Sequence, residues 1–177
     1  MKLANRQDAL SPAQPGDHLA SLKLQSFEQN LQNPKEQKVK VLAYLFQMRG
    51  GLPYLLVFEH EGIDAGIQIP AGTVEEGESN LEALHREVLE ETGIHSQGFK
   101  FRYLGQTEYL RQDAKEINIR HAYSANVSHL PERWTHRVTG NGSDHGLTFG
   151  FYWLSFESAF GELVGEFEHF LPMIPLD

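Results

Sequence analysis

Apolar and polar positions change their rhythm several times along the chain. KVKVLAYLFQMRG and PYLLVFEH are apolar stretches rich in β-formers, separated by Gly50-Gly51, and together they predict a β-hairpin. GIQIPAG predicts a short strand interrupted by Pro70. A helix follows. Ser79 and Glu82 supply the S-x-x-E start signal of a capping box, and Gly93 after Thr92 suits the left-handed stop. Phe99 to Tyr109, Ile117 to Val127 and Leu147 to Phe156 predict three further strands, and the polar loop TGNGSDHG precedes the last of them. The tail FESAFGELVGEFEHFLPMI predicts a closing helix that ends before Pro172. The order β-β-β-α-β-β-β-α predicts an α/β fold, a mixed sheet with helices packed on it.

Ahead of this pattern, residues 1–36 are polar, rich in Gln and Asn, and punctuated by Pro12, Pro15 and Pro34. Leu19, Leu22, Leu24, Phe27 and Leu31 give an imperfect helical stripe there. The expectation is a mobile arm or short docking helix, followed by one domain over residues 37–177. With 177 residues and 40% hydrophobic positions, the chain can bury a core without staples. It has no cysteine, which removes disulfides, cysteine-ligated zinc, iron–sulfur clusters and thiol nucleophiles. No apolar run approaches the roughly 20 residues that span a bilayer, and the N-terminus lacks the apolar stretch of a secretory signal. The expected location is the cytoplasm, with no membrane partner.

Charge sharpens the picture. The net charge of −9 argues against a nucleic-acid partner. Between Glu59 and Ile94 stand Glu59, Glu61, Asp64, Glu75, Glu76, Glu78, Glu82, Glu87, Glu90 and Glu91 against the single base Arg86, so this segment carries as much charge as the whole chain. On a helical wheel, Glu90 and Glu91 fall about 60° to one side and about 40° to the other of Glu87. Leu81, Leu84 and Val88 form an adjoining apolar stripe expected to face the sheet, and the small Ala83 lies under the carboxylates. Like charges ~5 Å apart repel by roughly 3 kcal/mol at an effective dielectric near 20. A hard divalent cation with oxygen ligands relieves that conflict, and Mg²⁺ commonly combines one or two carboxylates with substrate phosphates. Glu75 and Glu76 read as ordinary loop charges.

The run from Gly72 through Glu78 and Arg86-Glu87-Val88-Leu89-Glu90-Glu91 to Gly93-Ile94 matches every defined position of G-x5-E-x7-R-E-U-x-E-E-x-G-U, with U aliphatic. Chance would produce that match at roughly one start site in 10⁹ to 10¹⁰. It resembles the box of the Nudix hydrolases. The resemblance implies an α/β/α sandwich around a mixed sheet and a Mg²⁺-dependent reaction, with Mn²⁺ as a substitute. In that reaction water cleaves a diphosphate bond in a nucleoside diphosphate linked to another moiety. It further implies Glu87, Glu91 and the neighbouring Glu90 as metal ligands, with the carbonyl of Ala71 completing the site. Arg86 is implied as the holder of Glu87, and Glu78 as a pin for the loop. An arginine at this position can also pair with Glu82 or Glu90, one turn away on either side.

The linked moiety is less sharply marked. Pro70-Ala71-Gly72 resembles the P-A-G of family members that act on ADP-ribose and nucleotide sugars. Gln68 and Tyr109, however, stand where those members tend to carry Glu and Pro, and Tyr109 lies near the tyrosine that marks dinucleoside polyphosphate hydrolases. A nucleotide sugar, ADP-ribose and a dinucleotide all remain open, as a small-molecule nucleotide substrate. Candidates to hold it are Arg111, Lys115, Arg120, Arg133 and Arg137 for phosphate, and Tyr109, Tyr123 and Trp134 for stacking on a base. Glu116, Glu132 and Asp144 compete as an additional ligand or base. Trp153 reads as core and the nine histidines as structural or surface groups. The alternative function is a catalytically silent module that senses a nucleotide. Such modules usually lose a box carboxylate, and here the box is intact. A diphosphate isomerase of similar fold would need an active-site cysteine, which is absent. A homodimer is compatible with these features.

Overall fold

The computed structural model describes residues 36–111 and 116–176, and the expected N-terminal arm lies outside them. A long strand organises the domain. β1 (Glu36–Arg49) pairs in parallel with β5 (Glu116–Asn126) from Glu36↔Glu116 to Phe46↔Asn126. On its other edge, its C-terminal end pairs antiparallel with β2 (Leu52–His60), and Lys40 to Leu42 pair antiparallel with β3 (Ala71–Thr73). The turn between β1 and β2 consists of Gly50 and Gly51, both at positive φ (56° and 83°). Two consecutive left-handed residues give the hairpin twist that matches the strands, and a side chain at either would be strained.

β4 (Arg102–Arg111), β6 (Arg133–Arg137) and β7 (Thr148–Ser155) complete a seven-stranded mixed sheet of order β4-β5-β1-β2-β7-β6, with β3 beside β1. One layer of helix covers each face. α1 (Asn80–Thr92) packs with Val41, Ala43, Leu45, Phe149 and Phe151. On the other face α2 (Phe156–Glu162) and a 3₁₀ segment (Phe167–Met173) cover Leu42, Tyr44, Phe46, Leu55 and Val57. The alternation of β1 therefore feeds two cores, which is why its middle, Val41 to Phe46, is apolar at every position. Among the described residues no helix is long and apolar enough to cross a membrane.

Three expectations are corrected. β6 was not anticipated: RWTHR is short and carries only one large apolar side chain, so its period-2 signal is faint. Of GIQIPAG, only Ala71 and Gly72 enter a strand; Ile67 and Gln68 form isolated bridges, and Pro70 is held by its carbonyl, which accepts from Ala43 N–H. The predicted closing helix is two pieces, because Gly165 and Glu166 both sit in the left-handed region (φ 66° and 60°). Pro172 lies inside the 3₁₀ segment rather than beyond the helix.

Candidate active site

α1 begins and ends where its caps dictate. Ser79 Oγ accepts from Glu82 N–H while the Glu82 carboxylate accepts from Ser79 N–H, and Gly93 closes the last turn at φ 76° with its N–H on Leu89 O. This fixes the helix register and so the direction of the carboxylates. The buried side chains of α1 are Ala83, Leu84, Val88, Glu91 and Thr92, whereas Leu81 in the first turn is 48% exposed. The wheel gives direction but not position along the axis, so Leu81 was misplaced. Glu91, which falls between Glu87 and Leu84 on the wheel, belongs to the buried sector rather than beside it.

Arg86 is the hub of the cluster. Its guanidinium donates to both oxygens of Glu78 (2.9 and 2.9 Å), to Glu87 Oε1 (2.9 Å), to Glu90 Oε2 (3.2 Å) and to the carbonyl of Thr73 (2.8 Å). Glu82 is engaged with Ser79 instead, so of the two partners weighed for Arg86 one turn away, Glu90 is the one it meets. The bonds from Arg86 hold the Glu78 carboxyl below its ordinary range, and Glu78 Oε2 also accepts from Glu75 N–H at 3.0 Å, tying the loop to the helix. Five donors in a rigid fork match this set, which the point charge of a lysine could not.

Glu87 and Glu91 are different. Burial, followed by the Glu87 charge, pushes the Glu91 carboxyl well above the usual carboxylate range; a bond from Ala71 N–H (3.0 Å) works against that rise. Burial also raises Glu87, against the pull of Arg86. A β-carbon at Gly72 would coincide with the Glu87 carboxyl carbon, so β3 can approach α1 only through a glycine. Gly140 stands in the same relation to the Glu90 carboxylate, and Glu90 O accepts from Thr139 N–H at 3.0 Å. The helix carboxylates Glu87 and Glu90 are thus roofed by two glycine backbones, one in β3 and one in the loop after β6. Among the described residues no three acidic or imidazole groups converge in a ready coordination sphere; Glu87 and Glu90 turn toward Arg86, and Glu91 toward Ala71. The donor set still fits a hard cation: carboxylate oxygens, two of them raised by burial, with backbone carbonyls close by.

These residues line a cavity of about 160 Å³, closed on its far side by the 138–145 loop. Lys40, Ala71, Ser143 and Asp144 also line a second, adjoining cavity of about 580 Å³, which is within the range of small-ligand sites. Its floor is one end of the sheet face. Tyr109 lies opposite Asn118 on β4 and β5, Arg111 opposite Glu116, and Lys40 of β1 opposite Arg120. Tyr109, Arg111 and Arg120 are therefore brought together. The Arg120 guanidinium lies 3.6 Å from the centre of the Tyr109 ring and 5.0 Å from that of Phe167, and it donates to Gly165 O. Burial lowers the affinity of both Lys40 and Arg120 for their protons.

Other candidates lie elsewhere. Trp134 stacks on Phe151 (4.9 Å) and donates its indole N–H to Thr92 O (3.0 Å), so it caps the end of α1 instead of lining either of these cavities. Tyr123 and Trp153 are core residues. Arg133 lies over Tyr152, and Lys115 is outside the described residues. Of the three additional carboxylates, Glu132 pairs with Arg49 (2.9 Å) and Glu116 with Lys38 (2.8 Å), whereas Asp144 lines both cavities. Glu75 is exposed at the rim of the smaller one. Sequence reasoning missed Lys40 and Asn118. The alternation of Glu116, Asn118 and Arg120 with Ile117 and Ile119 carried a signal for the second.

The family model of the NUDIX domain matches residues 36–173, and the chain belongs to that family. No curated protein matches. Among solved structures, the NUDIX domain of Shewanella oneidensis NrtR, crystallised with ADP ribose, superposes with a TM-score of 0.59 at 16% identity, over 91% of this chain and 96% of its own. A MutT protein from Methanosarcina mazei Go1 gives 0.56 at 23% identity, over 78% and 92%. An Ap4A hydrolase from C. elegans, in a binary complex, gives 0.55 at 16%, over 77% and 93%. At these identities the likeness is one of fold.

Proposed function

We propose that this protein is a Mg²⁺-dependent hydrolase of a diphosphate bond in a nucleoside diphosphate linked to another moiety, acting in the cytoplasm on a small-molecule nucleotide. The observation that carries the reading is the intact carboxylate set, Glu87 and Glu90 bridged by Arg86, Glu91 held by Ala71 N–H and Glu87 lying against Gly72, beside a cationic cavity of nucleotide size. A silent sensing module would have no use for Glu87, Glu90 and Glu91 all held beside such a cavity. ADP ribose, crystallised with one structure of similar fold, and Ap4A, after which a second is named a hydrolase, share an adenosine phosphate anhydride, and that chemistry is the first to test.

Glu87 and Glu91, with Glu90 and the Ala71 carbonyl beside them, would hold the cation. When bound, it neutralises phosphate oxygens and lowers the pKa of a water. The chain's own residues do the rest. Arg86 orients Glu87 and Glu90, and Ala71 N–H orients Glu91. Lys40, on the wall common to both cavities, meets a phosphate oxygen of the substrate. Asp144 accepts the proton of the attacking water as its oxygen bonds to phosphorus and the anhydride P–O bond breaks. The products are two phosphate monoesters, or a monoester and a shorter phosphate chain. The test is a product-release assay across about thirty nucleotides and conjugates with Mg²⁺ and with excess EDTA. Cleavage that stops in EDTA and returns with Mg²⁺ supports the reading. Cleavage unaffected by EDTA, or binding without cleavage, refutes it.

A further inference from the structure

The larger cavity carries two cations that the fold leaves without a counter-charge. Parallel pairing of β1 with β5 sets Lys40 directly beside Arg120, and both side chains line the cavity. Like charges side by side on paired strands are destabilising, and buried charges are ordinarily paired. Among the described residues, however, neither makes an ion pair with a carboxylate. Arg120 is 7% exposed. The Gly165 carbonyl and the Tyr109 and Phe167 rings hold its guanidinium in place, and none of them bears a negative charge. The nitrogens of Lys40 and Arg120 that make no hydrogen bond keep accessible surface, so a ligand in the cavity reaches them. Asp144 is the one acid among the described residues lining it, and the proposed chemistry already engages Asp144 as proton acceptor.

Building on the nucleotide-hydrolase reading, we propose that Arg120 is a specificity-determining residue: with Lys40 beside it, it receives a substrate phosphate outside the diphosphate that is cleaved. Position separates the two groups. Lys40 lines both cavities and meets the diphosphate next to the carboxylates. Arg120 lines only the larger cavity, one strand further from β3, where Glu87 and Glu91 are held. A neutral sugar or base over this floor would leave the charge of Arg120 uncompensated. A carboxylate would balance one of the two cations. A phosphate monoester, with about −1.5 to −2 charges at pH 7, balances both, and its oxygens match the guanidinium fork. The phosphate belongs either to a monoester elsewhere on the substrate or to a longer phosphate chain, and the contact is the same.

The experiment compares ligands that differ by phosphate alone: ADP-ribose with its 2′-phosphate, dephospho-coenzyme A with coenzyme A, and diadenosine diphosphate with diadenosine tetraphosphate. Dissociation constants are measured by calorimetry, with Ca²⁺ in place of Mg²⁺, for the wild type, Arg120→Gln and Lys40→Gln. In at least one pair the wild type should bind the member with more phosphate roughly 10- to 100-fold more tightly. The first two pairs report a monoester and the third a longer chain. The gain should vanish in Arg120→Gln and shrink in Lys40→Gln, which decides the matter if Arg120→Gln fails to fold. A merely structural Arg120 would weaken both members of a pair alike and leave their ratio unchanged. A wild type with no gain in any pair, or a gain undiminished in the variants that fold, overturns the proposal. A gain lost in the variants, with no member cleaved in Mg²⁺, supports the phosphate site and refutes the hydrolase, whereas cleavage without a gain does the reverse.

Discussion

Removing the charge of Glu91 should steady the metal-free fold, and the size of the gain should depend on pH. Glu91 is 5% exposed and one helical turn from Glu87, and among the described residues only Ala71 N–H is bonded to its carboxylate. Neighbouring carboxylates at that spacing, ~5 Å apart, repel by about 3 kcal/mol at an effective dielectric near 20. Arg86 on Glu87 and the nearby Lys40 offset part of this. A net gain of about 1–2 kcal/mol is therefore expected for Glu91→Gln, whose amide oxygen can still accept from Ala71. For a domain of this size that is about 3–6 °C in Tm. Because burial holds the Glu91 carboxyl above its ordinary range, the folded wild type binds this proton more tightly than the unfolded chain. Its stability falls as pH rises from the normal carboxylate range through the raised value. The advantage of Glu91→Gln should then be larger at pH 8 than at pH 5, because more of the wild-type carboxyl keeps its proton in the fold at the lower pH. Thermal denaturation in EDTA at pH 5, 6.5 and 8 measures it. A variant less stable than wild type at pH 8, or an advantage equal at all three values, would refute the reasoning.

Gly72→Ala should separate stability from activity. The added methyl meets the flexible end of Glu87 and not backbone, so Tm should shift by no more than about 3 °C while kcat/KM falls by at least ~10²-fold; a silent variant would show that the Glu87 position is immaterial. Asp144→Asn should cut kcat by about 10²- to 10⁴-fold with little change in KM, as loss of a proton acceptor does; if stopped-flow turnover is unchanged, the acceptor is another group. A chain beginning at residue 36 should unfold cooperatively in urea with its midpoint close to that of the full chain, because the described residues alone assemble two apolar cores, one on each face of the sheet. An insoluble product would place residues 1–35 in the fold.

What could be read in advance was what lies close together in the chain. Helix α1 was legible to its ends, because Ser79, Glu82 and Gly93 act within a turn of where they stand. The carboxylate cluster was legible because its spacing is a helix repeat. The reason for Gly72 was not, since it appears only when β3, paired to β1, is laid against Glu87. Leu81 and Trp134 were misassigned for a related cause: a wheel or a residue type gives chemistry and direction, while position along the axis and the neighbour met depend on the other strands. The cavity floor required the parallel pairing of β1 with β5, which joins Lys40 to Arg120 across 80 positions. Its alternation was visible in β5, but which face would be roofed by Val164, Gly165 and Phe167 was not. β6 was lost because five residues with one tryptophan give too little periodicity to stand apart from a loop.

The carboxylate face of α1 as the place of catalysis is tested most directly by turnover of Glu87→Gln at saturating Mg²⁺ on a substrate the wild type cleaves. Glu76→Gln, in the exposed loop before the helix, serves as control. Glu87→Gln should lose at least ~10³-fold in turnover, about 4 kcal/mol of transition-state stabilisation, while unfolding as cooperatively as the wild type, and the control should turn over near-normally. A Glu87→Gln enzyme within tenfold of wild type, or a control equally impaired, would contradict that assignment.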